Sequence, residues 1–352
     1  MPSGSRAPDR SARIALACPD KFRGTLTAPE AAMAMAAGLA QAGFDEVRQV
    51  PLADGGDGTL HALLAARGGS VRRARVTGPL GDVVEAEYGV LRDGTAVIEM
   101  ARASGLALVE RNDPLRASTR GTGELVDAAR RAGASRILVG VGGSATTDGG
   151  LGAVDALGWS LGGSDVTVAC DVATTFLDAA RVYGPQKGAT DAQVELLTRR
   201  LASIADTYRA RTGIDVTELE GAGAAGGLAG GLAALGARLE PGFDVVANAA
   251  GLDDALDGVA MVLTGEGRTD LTSFEGKVVG SVLEWAAELG IDARAVIAGQ
   301  MTDDAREELS VLGATPYVLV DRVWNAGEAF ARAAMLVEEA ALEAGRAALA
   351  RA

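Results

Sequence analysis

Residues 13–67, RIALACPDKFRGTLTAPEAAMAMAAGLAQAGFDEVRQVPLADGGDGTLHALLAAR, decide how this chain folds. The apolar run RIALAC at 13–18 has the length of a buried strand, and the polar loop PDKFRGTL separates it from an alanine-rich segment with helical spacing. Thr27 and Glu30 have the spacing of a capping box, so a helix is expected from there to about Gly43. VRQVPL then reads as a second strand, ADGGDG as the turn that ends it and LHALLAARG as a second helix. Strand, helix, strand and helix in that order imply an open parallel sheet.

From about residue 71 the texture changes to VRRARVTG, VVEAEYGVL and TAVIEMA, separated by the turn signals GPLGD and RDG, which predicts a mixed or antiparallel sheet in another domain. Further on, GTGELVDAARRAG reads as a helix, RILVGVGG as a buried strand, DGGLGAVDALG as a helix opened by glycines and VTVACD as another strand. A charged helix is expected at 188–212, and GAGAAGGLAGGLAALGARL reads as a small-residue helix packed very closely on a neighbour. The α/β order returns with VAMVLTG, a helix over 276–290, ARAVIAG, TPYVLV and a final helix. The fold class expected is therefore α/β: a discontinuous Rossmann-like parallel-sheet domain, residues 1–70 and 256–352, with a second α/β domain carrying a mixed sheet inserted as 71–255.

Composition narrows the function. Hydrophobic residues make up 48% of the 352 residues but aromatics only 4%, so the core must be built from small side chains at closely packed elements. The formal charge of −14 argues against nucleic acid or an anionic membrane as partner, because both need clustered cations and long-range attraction. The opening MPSGSRAPDRSAR lacks the apolar stretch of a signal peptide, and no run is long enough to span a bilayer, so a cytoplasmic protein is expected. Cys18 and Cys170 each end an apolar run and read as small hydrophobes, with no disulfide or zinc spacing.

The lysines carry more information. Of the 33 lysines plus arginines only Lys21, Lys187 and Lys277 are lysine, and all three lie in short glycine-containing segments, DKFRG, GPQKGAT and EGKVVG. There a compact cation with rotatable donors can reach phosphate or carboxylate oxygens. Glycine-rich turns also follow the predicted strands at CPDKFRG, ADGGDG, GVGGSATTDGG, CDVATT and TGEGRTD, where backbone N–H groups converge in folds of this kind. Phosphoryl transfer needs cations for the migrating group, acids for Mg²⁺ and a group to receive the hydroxyl proton. Lys21, Arg23, Arg268, Lys187 and Lys277 supply the first, and Asp54, Asp57, Asp171, Glu266 and Asp270 the others; spacing alone does not assign the role of each.

The common nucleotide signatures are missing: there is no G-x-x-x-x-G-K-[ST] and no protein-kinase motif set. A literal G-x-G-x-x-G occurs at Gly221, Gly223 and Gly226, followed by Asp244, but the preceding DVTELE is too charged for a buried strand, which favours helix packing over nicotinamide-dinucleotide binding. His61 is the sole histidine and is left out of the catalytic set.

The ordered series of segments resembles the bacterial type I glycerate kinases. CPDKFRGTLTAPEAA, PLADGGDGT, VIEMARASGL and STRGTGELV are similar to motifs of that family, and GVGGSATTDGG, VACDV, YGPQKGAT, GAGAAGGL, LTGEGRTD and the Gly276–Lys277 pair continue the series in order. The resemblance implies a two-domain α/β kinase with its active site in the interdomain cleft, using ATP and Mg²⁺ on D-glycerate and favouring 2-phosphoglycerate over 3-phosphoglycerate. Departures are Lys21 for a common Ser, Arg23 for a common Lys, Asp57 for the usual Glu, ATT at 173–175, and Phe274–Glu275 where Leu–His is frequent.

On this reading Arg23 or Arg268 suits the glycerate carboxylate, Ser144 and Thr146 with neighbouring amides suit phosphate oxygens, and Asp20 and Asp171 are the base or metal candidates. The catalytic set is then Asp20, Lys21, Arg23, Asp171, Arg268, Asp270 and Lys277. Asp54, Gly55, Gly56, Gly142, Gly143, Ser144, Thr146, Lys187 and Glu266 form the substrate- or nucleotide-binding set, with Asp54 and Asp171 as metal candidates. The rival readings are a kinase for another small sugar acid, a nicotinamide-dependent oxidoreductase and a non-catalytic sugar-acid sensor.

Overall fold

The computed structural model describes residues 12–351, and the leaderless reading of the first residues falls largely outside them. The strands are β1 (Ile14–Ala17), β2 (Glu46–Gln49), β3 (Gly69–Thr77), β4 (Val83–Leu91), β5 (Ala96–Glu99) and β6 (Arg136–Gly140). They continue as β7 (Asp165–Ala169), β8 (Arg238–Glu240), β9 (Val259–Thr269), β10 (Ala293–Met301) and β11 (Thr315–Val318). They form two sheets in two compact units. One unit comprises residues 12–50, 253–273 and 279–351; the other comprises Pro51–Leu252 and Phe274–Val278.

The first unit holds an all-parallel sheet of order β11-β10-β9-β1-β2. Ala15, Leu16 and Ala17 of β1 are fully buried, as expected of a strand covered on both faces. The helix Ala28–Ala42 begins at the capping box read from the sequence: the Glu30 N–H donates to Thr27 Oγ1 and the Thr27 N–H donates to the Glu30 carboxylate at 2.8 Å. Met35 and Leu39 from this helix, Leu263 and Ile297 from the sheet, and Leu336 and Val337 from the helix Ala333–Arg351 meet in one core.

The second unit holds a mixed sheet of order β3-β4-β5-β6-β7-β8, antiparallel from β3 to β5 and parallel from β5 to β8. The fold class is therefore the one expected, with corrections inside it. Residues 51–70, expected with the first sheet, belong to the second unit, where Leu60 of the helix Thr59–Arg67 packs directly on Gly89 of β4. TGEGRT is strand where a turn was expected: β9 stays paired with β10 as far as Thr269 opposite Met301. The segment Ala224–Ala234 opens with Ala225, Gly226 and Gly227 in the left-handed region, at φ of 52°, 68° and 93°. A Cβ on Gly226 would lie 2.0 Å from the Thr146 carbonyl oxygen, so close backbone approach sets this conformation and regular helix starts only beyond it.

No helix among the described residues is long and apolar enough to cross a membrane. Cys18 and Cys170 are both free thiols, and burial pushes the pKa of Cys18 far above the ordinary thiol range.

Candidate functional site

In the second unit a crevice of about 390 Å³ opens at the carboxyl ends of β6 and β7. Its floor is made by two glycine-rich loops whose backbones touch: a Cβ on Gly140 would come within 2.2 Å of the Gly55 carbonyl oxygen. Only glycine permits that approach, and it brings residues 54–56 alongside 141–144. Asp54, Gly55, Gly56, Gly142, Gly143, Ser144, Asp171 and Lys187, all singled out in the sequence, line this one crevice.

Two carboxylates face each other electrostatically here. Asp54 Oδ1 accepts the Gly56 N–H at 3.2 Å, and Asp171 Oδ1 accepts the Gly242 N–H at 2.5 Å. Asp171 keeps one edge open to solvent, yet partial burial, followed by the charge of Asp54, raises its pKa to about 6. The backbone N–H groups of Gly242 and Phe243 and the charge of Lys277 pull the other way, which ties Lys277 to this crevice.

Lys187, only 4% exposed, is the buried cation of the crevice. Its Nζ donates to the Thr146 carbonyl at 2.6 Å and sits 5.7 Å from the Tyr183 ring centroid. Burial lowers its pKa to about 8, while the charge of Asp148 opposes the fall. Thr146 itself is fully buried and lies beneath the crevice rather than on its wall. The Ser144 Oγ and Thr146 Oγ1 are 3.0 Å apart and both approach the Ala225 carbonyl at 3.3 Å, so these hydroxyls tie the loop together.

Two acids that hold the crevice in shape were not picked out from the sequence. Asp148 accepts the N–H and the hydroxyl of Thr119 at 2.8 and 2.9 Å and the N–H groups of Gly150 and Gly152 at 3.2 and 3.3 Å. Its pKa is nonetheless raised, because burial outweighs those bonds. Its position just before the Gly149–Gly150 pair that opens a helix was the available signal. Glu99, 3% exposed at the end of β5, accepts the N–H groups of Gly58 and Leu60 at 2.9 and 3.0 Å and so caps the helix Thr59–Arg67 from a neighbouring strand. Its second oxygen binds Arg102 Nε at 2.5 Å, and Arg102 extends to Glu87 at 3.0 Å and to His61 Nδ1 at 3.3 Å. The lone acid inside the apolar run TAVIEM was the clue.

The first unit gathers the remaining candidates at the carboxyl ends of β1 and along β9. The Asp20 N–H donates to the Gly265 carbonyl at 2.9 Å, and the Asp20 carboxylate accepts the Lys21 N–H at 2.6 Å with Lys21 Nζ 3.6 Å away. Glu266 and Arg268 alternate along β9, and exposed Arg268 approaches Asp270 at 3.7 Å. Asp270 in turn accepts the N–H and hydroxyl of Thr272, and Arg23 is exposed. The Gly221, Gly223 and Gly226 series follows a short 3-10 turn, Val216–Glu218, and not a strand, so the strand-turn-helix of a dinucleotide fingerprint is not formed. Among the described residues no three His, Cys, Asp or Glu side chains cluster as a metal cage.

A two-unit α/β protein with glycine-lined loops, paired carboxylates and a buried lysine at the ends of parallel strands has the equipment of an enzyme acting on a small anionic substrate. The sequence profile of the glycerate kinase family matches residues 15–165 and 160–349, and the chain belongs to that family. It is 41% identical over 324 residues to glycerate 2-kinase of Escherichia coli (strain K12), covering 81% of this chain and 85% of that one. With glycerate kinase of Bacillus subtilis (strain 168) it shares 39% over 326 residues, 82% of this chain and 85% of the relative. The fold also matches the crystal structure of a protein from Salmonella typhimurium LT2 described as glycerate kinase 2, with a TM-score of 0.84 at 33% identity, covering 97% of this chain and 99% of the other.

Proposed function

We propose that the protein transfers the γ-phosphoryl group of ATP to a hydroxyl of D-glycerate in a Mg²⁺-dependent reaction that gives 2-phosphoglycerate. The observation that carries this reading is the crevice that combines glycine-rich loops, the Asp54–Asp171 pair and buried Lys187. Family membership supports the kinase chemistry, and the name of the Escherichia coli relative supports the 2-position.

The residues fit a divalent cation. A carboxylate whose proton affinity is raised by burial and by a neighbouring carboxylate, as that of Asp171 is beside Asp54, is relieved by a positive charge, and Mg²⁺ usually takes only one or two protein carboxylates beside phosphate and water. When bound, Mg²⁺ neutralises charge on the phosphates. Lys187 and the backbone N–H groups of the 141–144 loop hold phosphate oxygens, and Lys277 offsets the two carboxylates. In the first unit, Arg23 and Arg268 are the forks suited to the glycerate carboxylate, and Asp20 is the group suited to receive the hydroxyl proton. Positioning and electrostatics supply most of the acceleration, as is usual for in-line phosphoryl transfer. Because ATP is a cytoplasmic nucleotide, this reading keeps the enzyme in the cytoplasm.

The test is coupled ADP release by the purified chain with Mg²⁺ and ATP, comparing D-glycerate with a panel of other hydroxy acids. Glycerate should be the preferred acceptor, and EDTA should abolish turnover. Faster turnover with another sugar acid would reassign the substrate, and glycerate-independent ATP hydrolysis alone would refute the kinase reading.

A further inference from the structure

A second cavity, of about 510 Å³, lies wholly within the first unit at the opposite edge of its sheet, where β9, β10 and β11 begin at Val259, Ala293 and Thr315. Its lining joins Arg13, Arg294 and Arg351 to an apolar wall that includes Phe44, Met261 and Ala348. Among the described residues none of these three arginines has a carboxylate within ion-pair distance, whereas other arginines of this acidic protein, such as Arg48, Arg102 and Arg306, do. Asp292, the one acidic residue in the lining, forms no ion pair there either. The Arg294 Nε is buried without a hydrogen-bond partner, and its guanidinium lies against the Gly313 turn.

Leaving a desolvated guanidinium N–H without an acceptor is costly, and an acceptor entering the cavity would remove that cost. In a chain of net charge −14 an anion is repelled at long range, so only a dense local group of cations holds one. We propose that this cavity is a binding site for a small organic phosphate monoester, its phosphate held by Arg13, Arg294 and Arg351 and its apolar part resting on Phe44, Met261 and Ala348. The site is separate from the Asp54–Asp171 crevice and does not depend on the kinase reading.

The experiment is calorimetric titration of the full chain with phenyl phosphate in the presence of saturating ATP, with inorganic phosphate and phenol as comparison probes. Phenyl phosphate should bind at one site, at least tenfold more tightly than either probe, and Arg294→Gln should weaken it tenfold or more while leaving glycerate turnover unchanged. Arg351→Gln, at an exposed position of the last helix, provides a variant whose folding is not at stake and should also weaken binding. No binding by the wild-type chain, inorganic phosphate binding as tightly as phenyl phosphate, or unchanged affinity in folded Arg294→Gln and Arg351→Gln would each overturn the proposal.

Discussion

Lys187→Met separates a cation that serves the crevice from one that merely fills space. The wild-type ammonium is buried, donates to the Thr146 carbonyl at 2.6 Å and has its pKa lowered to about 8. From that value roughly nine-tenths of the population is charged at pH 7 and roughly one-tenth at pH 9. If the charge holds a phosphate oxygen, kcat/KM for ATP should fall about tenfold over that interval in the wild type. Methionine keeps the length and removes the charge. Loss of a charge-assisted hydrogen bond to phosphate, roughly 3 kcal/mol, corresponds to a decrease of about 10²-fold in kcat/KM at pH 7, and the alkaline fall should vanish. Stability should move differently. Because the folded pKa lies below the unfolded one, the unfolded chain binds more protons between about pH 8 and 10.5, so stability rises with pH across that window and the cost of the buried charge is fully present below it. Lys187→Met should therefore melt no lower than wild type at pH 7. Steady-state kinetics from pH 6 to 9.5 and thermal melts of both proteins provide the check. Persistence of the alkaline fall in the variant, or activity within twofold of wild type, would refute the assignment.

With Asp171 raised to about 6 partly by Asp54, kcat/KM should be lost as the pH falls through that value, and Asp54→Asn should shift the acid limb of the profile to lower pH; an unmoved limb would dissociate the two groups. Glu99→Ala strips the cap from the Gly58 and Leu60 N–H groups and leaves half-buried Arg102 with Glu87 and His61 as its remaining partners, so urea unfolding should show a loss of about 3 kcal/mol. A loss below about 1 kcal/mol would mean that the loop holds itself. Asp20→Asn should fold normally and lower kcat by roughly 10²-fold, measured by coupled ADP release; near-normal kcat would leave Asp20 as a turn residue that only organises Lys21.

What the sequence disclosed followed from local physics. The apolar runs of β1, β6 and β7, the Thr27–Glu30 capping box and the glycine turns at strand ends are each written in a few consecutive residues. What escaped it depends on distant partners. The strand-turn-helix of 46–67 looks continuous with what precedes it, because nothing local records that Leu60 packs on Gly89. GAGAAGG has the composition of a closely packed helix, and only the Thr146 carbonyl, far away in the chain, turns residues 225–227 left-handed. Gly265 and Gly267 mimic a turn until β10 arrives, with Ile297 paired to Gly265 and Gly299 lying close against the Gly267 backbone. The site was legible as chemistry-bearing loops, but Asp148 and Glu99 act through partners 29 and 41 residues away, beyond the reach of spacing arguments.

Whether a phosphoryl group passes from ATP to a hydroxyl of glycerate is tested most directly by phosphorus NMR of a completed reaction containing the purified chain, Mg²⁺, ATP and D-glycerate. A new phosphate monoester resonance is expected, formed in step with ADP and coinciding with added 2-phosphoglycerate. A spectrum that coincides with 3-phosphoglycerate would contradict the assigned hydroxyl, and one showing only inorganic phosphate and ADP would contradict glycerate phosphorylation itself.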